Sequence, residues 1–294
     1  MKRETSERVI EILLFISAAT AISIVALILI FLLKEGLPLI AKIGISKFCL
    51  GMEWNPLPIV GKPSYGIFPM IISSFYVAVG SLVMAVPFGI ACAIFLAEIA
   101  PLWARSVLKH SIELLVGIPS VVLGFIGLVL LVPFIRDHFG GCGFSILTAS
   151  IVLAVMALPR IISISDDAIR AVPREYKEAS FALGATHWHT IRKVILPSAR
   201  SGIVAAVILA MGGSIGETMV VLMVTGNVPM LPSPIYDILD PTRPMTSNIV
   251  VEMSYATGDH ECALFATGIV LFIVVAILNA ISHKVMKSRR GIRR

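Results

Sequence analysis

The sequence predicts an all-α polytopic membrane protein with six transmembrane helices and cytoplasmic N and C termini. Three observations predict it. Apolar residues make up 57% of the 294 residues and charged ones 14%, with a mean hydropathy of +0.94. That balance leaves too little polar surface for a water-soluble domain. Several uncharged runs reach the roughly 20 residues a helix needs to cross a bilayer core, where an open chain has no other way to satisfy its backbone. Lys and Arg alternate between the two sides, with 18 on the side of the termini (three, two, seven and six across its segments) and 6 on the other, as the positive-inside bias requires. The net charge of +6 therefore reflects topology. It is no argument for a nucleic-acid partner, and the lipid bilayer is the expected one.

The expected elements form a single domain over residues 1–294. Lys2, Arg3 and Arg8 precede a first helix at 12–33, whose 22 uncharged residues exceed a signal core and lack a small-residue cleavage site, so it is expected to remain as a span. An outer segment follows, rich in proline and carrying Lys34, Lys42, Lys47 and Lys62 against the bias. The next uncharged run, Tyr65 to Ala97, is longer than one span, which places the second helix at 75–97 and leaves 65–74 projecting outward. The third helix, 114–135, contains Gly117, Pro119, Gly124, Gly127 and Pro133. Glycines allow close helix approach and proline frees a carbonyl, a composition suited to an interior helix. The fourth helix is expected at 144–159 with Pro159 at its inner end, after which Asp166, Asp167 and Arg170 lead into a loop. The fifth, 201–224, contains Glu217, and the sixth, 262–282, precedes a basic tail. Cys49, Cys92, Cys142 and Cys262 are scattered and read as packing thiols. A disulfide among the three outer ones, Cys49, Cys142 and Cys262, stays open, with no pair favoured.

Between the fourth and fifth helices lies a polar stretch of 27 residues, Arg174 to Arg200, long and punctuated for an ordinary connection. Pro173 can start a helix and Gly184 can end it in a left-handed conformation. Between them Ala179, Ala182 and Leu183 offer a small-residue surface. Thr186 can cap a second short helix, which Pro197 ends. Two short helices joined at a glycine make a compact knob able to dock into a groove on another protein.

Within that stretch, Glu178-Ala179-Ser180, then Gly184, then Val194-Ile195-Leu196-Pro197 resemble the cytoplasmic EAA loop of ABC-transporter permeases. Gly216-Glu217-Thr218-Met219-Val220-Val221-Leu222-Met223-Val224-Thr225-Gly226-Asn227 narrows the resemblance, supported by Trp54-Asn55-Pro56, Tyr65 to Pro69 and Ile118 to Phe125. Over nearly its whole length the chain is similar to the PstC-type permease family of bacterial and archaeal phosphate importers. The resemblance implies a multi-pass plasma-membrane subunit of an ATP-driven importer of inorganic phosphate, forming half the translocation pathway. It also implies a second homologous permease (PstA-like), two ABC ATPase subunits (PstB-like) and an extracytoplasmic phosphate-binding protein (PstS-like). The chain lacks G-x-x-x-x-G-K-[ST], so no enzymatic role and no cofactor is expected on it, and ATP and Mg belong to the partner ATPase. Glu178, Ala179, Ser180, Gly184, Leu196 and Pro197 are the expected ATPase-coupling residues. Glu217, Thr218, Ser120 and Asn227 are the expected pathway or gating residues. A permease for another oxyanion, such as tungstate or molybdate, is the alternative substrate reading. A membrane scaffold would not need the knob, and an intramembrane enzyme would need several ionisable groups facing one another at depth.

A carboxylate at the centre of a span costs roughly 2.5–3.5 kcal/mol on insertion scales for Asp and usually faces a cavity or partner. Ionised Glu217 would repel an oxyanion. Its placement therefore calls for a hydroxyl on the anion, a protonated carboxyl, or an arginine on another helix or on the second permease. Many members of the resembling family carry arginine one turn before this glutamate, where this chain has Gly213. His187 and His189 are two apart and point different ways on a helix, so no metal pair is expected. His260, beside Asp259 and Glu261, is expected to be solvated at the outer mouth.

Overall fold

The computed structural model describes residues 2–287, with side chains from 10 to 286. The basic tail at 289–294 and the side chains of Lys2, Arg3 and Arg8 lie outside the described residues. In chain order the helices are α1 (Lys2–Ile43), α2 (Ile45–Leu50), α3 (Phe68–Ile94), α4 (Leu102–Val116), α5 (Ser120–Ile126), α6 (Val132–Phe139), α7 (Ile146–Arg170), α8 (Arg174–Ala182), α9 (His187–Thr190), α10 (Leu196–Gly216), α11 (Met219–Val224), α12 (Met245–Met253) and α13 (Asp259–Lys287). A two-residue hairpin in the outer segment pairs Trp54 with Tyr65 and Asn55 with Ser64. Among the described residues, six helical runs are long and apolar enough to cross a membrane: Ile10–Ile43, Phe68–Ile99, Ser120–Phe139, Ile146–Arg170, His187–Gly216 and Asp259–Met286.

The spine is α3, which packs most extensively against α7. Four apolar clusters follow α3 from one end to the other. Met70 joins Leu39, Phe48, Trp54 and Leu264, Val77 joins Ile146, Val152 and Val221, Leu82 and Ala85 join Ala157, Ile161 and Ala210, and Ala93 joins Ile169, Ile191 and Ile195. This stacking explains two departures from the expected boundaries. Residues 68–74 do not project outward, because Met70, Ser73 and Ser74 are buried in the body of the molecule. The first helix does not end at Leu33 either. Gly36 lies against the α13 backbone at Ala266 and Leu39 is buried, so apolar contact sustains helix past the charges.

Proline accounts for most of the remaining differences. Three five-residue π-helical stretches, Phe95–Ile99, Gly127–Leu131 and Ile191–Ile195, each end two residues before a proline: Pro101, Pro133 and Pro197. At Pro133 and Pro197, where the helix continues, the π turn widens it and shifts its hydrogen-bond register, which removes the clash between a proline ring and the carbonyl four residues back; at Pro101 the helix stops, with Ala100 extended. Pro197 therefore does not end a helix as expected. It sits in the first turn of α10, and the helical run from His187 to Gly216 is continuous. The third expected helix instead divides at Gly117–Pro119, leaving α4 separate with no buried residue. The fourth runs past Pro159 to Arg170, which draws Arg160 out of the expected loop and into the span.

Candidate translocation cleft and coupling surface

The fifth expected helix is broken at Glu217. The helix α10 stops at Gly216, Glu217 is extended (φ −69°, ψ 133°), and α11 resumes at Met219. Backbone freed at membrane depth is tolerated where other groups satisfy it or where it lines a cavity. Here the Glu217 carbonyl accepts from the Thr246 hydroxyl of α12 at 2.8 Å. Its carboxylate Oε1 accepts from the Met219 N–H at 3.1 Å and the Val220 N–H at 3.5 Å. Glu217 is thus not inside a helix, as expected, but at a break between two helices, capping the second.

Glu217 lines a narrow cleft with Gly213 and Ser214 of α10 and Leu153, Met156, Ala157 and Arg160 of α7. Arg160 was missed in the sequence because it follows Pro159, read as the end of the fourth helix. The signal was there: an apolar run opening near Phe144 needs about 20 residues to cross and so must include Arg160. Its guanidinium lies over Gly213, where a side chain would overlap it, an ideal Cβ falling 2.9 Å from Arg160 Cζ. The absent arginine at 213 is therefore matched by an arginine reaching the same point from the neighbouring helix. Thr218 sits in the break, its hydroxyl donating to the Gly216 carbonyl at 3.3 Å. Ser120 and Asn227 are not brought to this cleft. Ser120 opens α5, which packs on α11 through Gly124. Asn227 lies at the far end of α11, with its amide donating to the Leu222 carbonyl at 2.8 Å and its own carbonyl accepting from Arg243 Nε at 2.6 Å.

Beyond α11, a buried carboxylate organises the outer segments. Glu252, 4% exposed, accepts from Trp54 Nε1 at 2.8 Å, pairs with Arg243 at 2.5 Å and meets His260 Nε2 at 2.8 Å. His260 is buried and not solvated, because α13 turns it inward toward Glu252 while Asp259 pairs with Lys42. All four cysteines are free. Burial pushes the Cys49 thiol above its ordinary pKa, which suits a packing group.

At the other end, α8 and α9 form the two-helix knob. Gly184 adopts φ +80° and Thr186 caps α9 by accepting the His189 N–H at 3.3 Å. Glu178, Ala179 and Leu183 are exposed, and Ala179 and Leu183 border an open hollow of about 740 Å³ with Tyr176, Gly184 and His189. Ser180 and Leu196 depart from the expected surface set. Ser180 is buried and bonds to the Thr190 hydroxyl at 2.8 Å, locking α8 to α9, and Leu196 packs inward against the Ile191–Ile195 cluster. Pro197 is exposed in the first turn of α10. The knob is fastened to the α3 end by Lys177 Nζ on Glu98 at 2.5 Å and by Arg170, which bridges Asp166 and the Leu96 carbonyl, both at 2.8 Å.

A family model described as "Binding-protein-dependent transport system inner membrane component" matches residues 85–291. The chain is 43% identical over 285 residues to the "Probable ABC transporter permease protein YqgH" of Bacillus subtilis (strain 168), covering 95% of this chain and 88% of that one. It is 34% identical to the "Phosphate transport system permease protein PstC" of Pasteurella multocida (strain Pm70), covering 79% and 76%. It is 33% identical to the protein of the same name from Xylella fastidiosa (strain Temecula1 / ATCC 700964), covering 92% and 88%. Among solved structures, the inward-facing MetNI methionine ABC transporter aligns at a TM-score of 0.55 and 22% identity, over 76% of this chain and 94% of that chain. A bacterial alginate ABC transporter aligns at 0.55 and 17%, over 95% and 96%. At these identities the structural likeness is one of fold.

Proposed function

This chain belongs to the binding-protein-dependent transport system inner membrane component family, and from that premise we propose that it is the permease subunit of an ATP-driven phosphate importer. It is a multi-pass plasma-membrane protein. The observation that carries the proposal is the continuous helical run His187–Gly216, which joins an exposed docking knob at one end to a charged break in a span at the other. Discontinuous membrane helices supply substrate sites in transporters, and an ionisable residue at such a break is a pathway group by default. Phosphate as the cargo is supported by the names of the 33–34% identical relatives.

In this reading a second, homologous permease supplies the other half of the pathway, two ATPase subunits hold the ATP and Mg, and an extracytoplasmic binding protein delivers phosphate. The chain itself carries no cofactor and performs no hydrolysis. The knob receives ATPase movement through Glu178, Ala179, Leu183 and Gly184, while Ser180 keeps its two helices in register.

The test is ATP-dependent uptake of labelled phosphate into proteoliposomes holding the full complex, with sulfate, molybdate and tungstate as competitors. Uptake resistant to all three is the expected result, and transport of a competitor alone would replace the substrate. Glu217→Gln keeps a carbonyl oxygen for the Met219 N–H, so the complex should assemble while uptake falls at least fivefold. Wild-type rates in the assembled variant would remove Glu217 from the pathway.

A further inference from the structure

The geometry points to Arg160 as the anion-contacting residue of the pathway, reaching the cleft from α7 across the clearance left by Gly213; this rests on the phosphate-importer reading above. Arg160 lies within the span Ile146–Arg170, near its middle. A guanidinium does not lose its proton in a protein, and a charge at such depth needs a partner, a cavity or water. Among the described residues it has no hydrogen-bond or ion-pair partner in this chain, whereas nearby Asp166 and Arg170 satisfy each other. It is also exposed, in contrast to Ala157 and Ile161 on the buried face of the same helix. The charge is therefore directed to an open face of the subunit, beside Glu217 and Ser214.

The cleft itself holds about 40 Å³, little more than one water's share of the liquid. An oxyanion accordingly sits at its open mouth, where the guanidinium ends, and not inside it. The planar fork of arginine matches two oxygens of such an anion. The carboxylate of Glu217 limits the class further, since it repels a bare oxygen but accepts a hydrogen from a hydroxyl. A tetrahedral oxyanion that retains a hydroxyl at neutral pH, as monohydrogen phosphate does, fits both groups. Gly213 is part of the site because any side chain there would displace the guanidinium.

The experiment is ATP-dependent uptake of labelled phosphate by the reconstituted complex, with each variant first checked for co-purification with its partners. Arg160→Gln is expected to lower uptake at least tenfold and Arg160→Lys to a lesser degree. The double variant Arg160→Gly, Gly213→Arg returns a guanidinium to the same point from the other helix. It is expected to recover most of what Arg160→Gly alone loses. Uptake by assembled Arg160→Gln within twofold of wild type, or a double variant no better than Arg160→Gly, overturns the assignment. Failure of Arg160→Gln to assemble, unrelieved in the double variant, overturns it in favour of a packing role between subunits. Absence of phosphate uptake by the wild-type complex refutes the phosphate reading and this inference with it, whereas normal wild-type uptake with an indifferent Arg160→Gln refutes the inference alone.

Discussion

Gly213 shows how a single position carries opposite consequences for stability and transport. Alanine is the better helix former by about 1 kcal/mol, yet its methyl group would strike the Arg160 guanidinium. Gly213→Ala is expected to leave the melting temperature of the complex unchanged or higher while lowering phosphate uptake severalfold. Read in sequence, this position was a cation gone missing. The cation was present, but on another helix, and only the packing of α7 on α10 brings the two together. Glu252 was illegible for a related reason: its partners Trp54, Arg243 and His260 come from three separate segments. Removing one partner of a buried ion pair costs about 3–5 kcal/mol because the other charge stays uncompensated. Arg243→Met should therefore destabilise the outer segments by that order, read as a lowered melting temperature and faster proteolysis after Thr225.

Among the elements, the knob was the most legible, since its signals are local. Proline, glycine and threonine act on the residues next to them, and α8, the turn at Gly184 and the α9 cap appear where those residues place them. The same residue type misled at Pro159 and Pro197, because a proline states which hydrogen bond is lost and not how the helix responds. The first is absorbed by a long helix packed on α3 and the second by a π turn. The tie between the knob and α3 was also invisible, as Glu98 and Lys177 are distant in sequence. With Glu98 only 4% exposed on its side chain, Lys177→Met leaves a buried carboxylate whose one remaining ion-pair partner among the described residues is His187, at 4.0 Å. In the reconstituted complex, ATP hydrolysis should continue while phosphate moved per ATP falls at least threefold. An unchanged ratio would assign the pair to folding alone.

For the whole molecule, composition and charge placement anticipated six spans because both are summed over many residues, so no single misplaced boundary alters them. Orientation has a direct check in the cysteines. Cys142 is exposed in the turn between α6 and α7, while Cys49 is partly buried with a raised thiol pKa, so less of it is thiolate near neutral pH. A membrane-impermeant maleimide added outside intact cells should label Cys142 rapidly and Cys49 slowly. Labelling of Cys142 only after lysis would invert the topology. The family match spans residues 85–291 and so begins within α3. The first helix, α1, lies outside it and packs chiefly on α13, with Phe31 edge-on to Phe265 at 5.3 Å.

The uninterrupted run from His187 to Gly216 has a mechanical meaning. At 1.5 Å per residue its 30 residues make a pushrod about 45 Å long. One end is seated in the knob and the other is jointed at Glu217, where Thr246 holds the neighbouring backbone to α12. A tilt of about 5° at the knob would carry the far end about 4 Å, comparable to the width of an anion, so a small stroke below suffices to open or close the throat above.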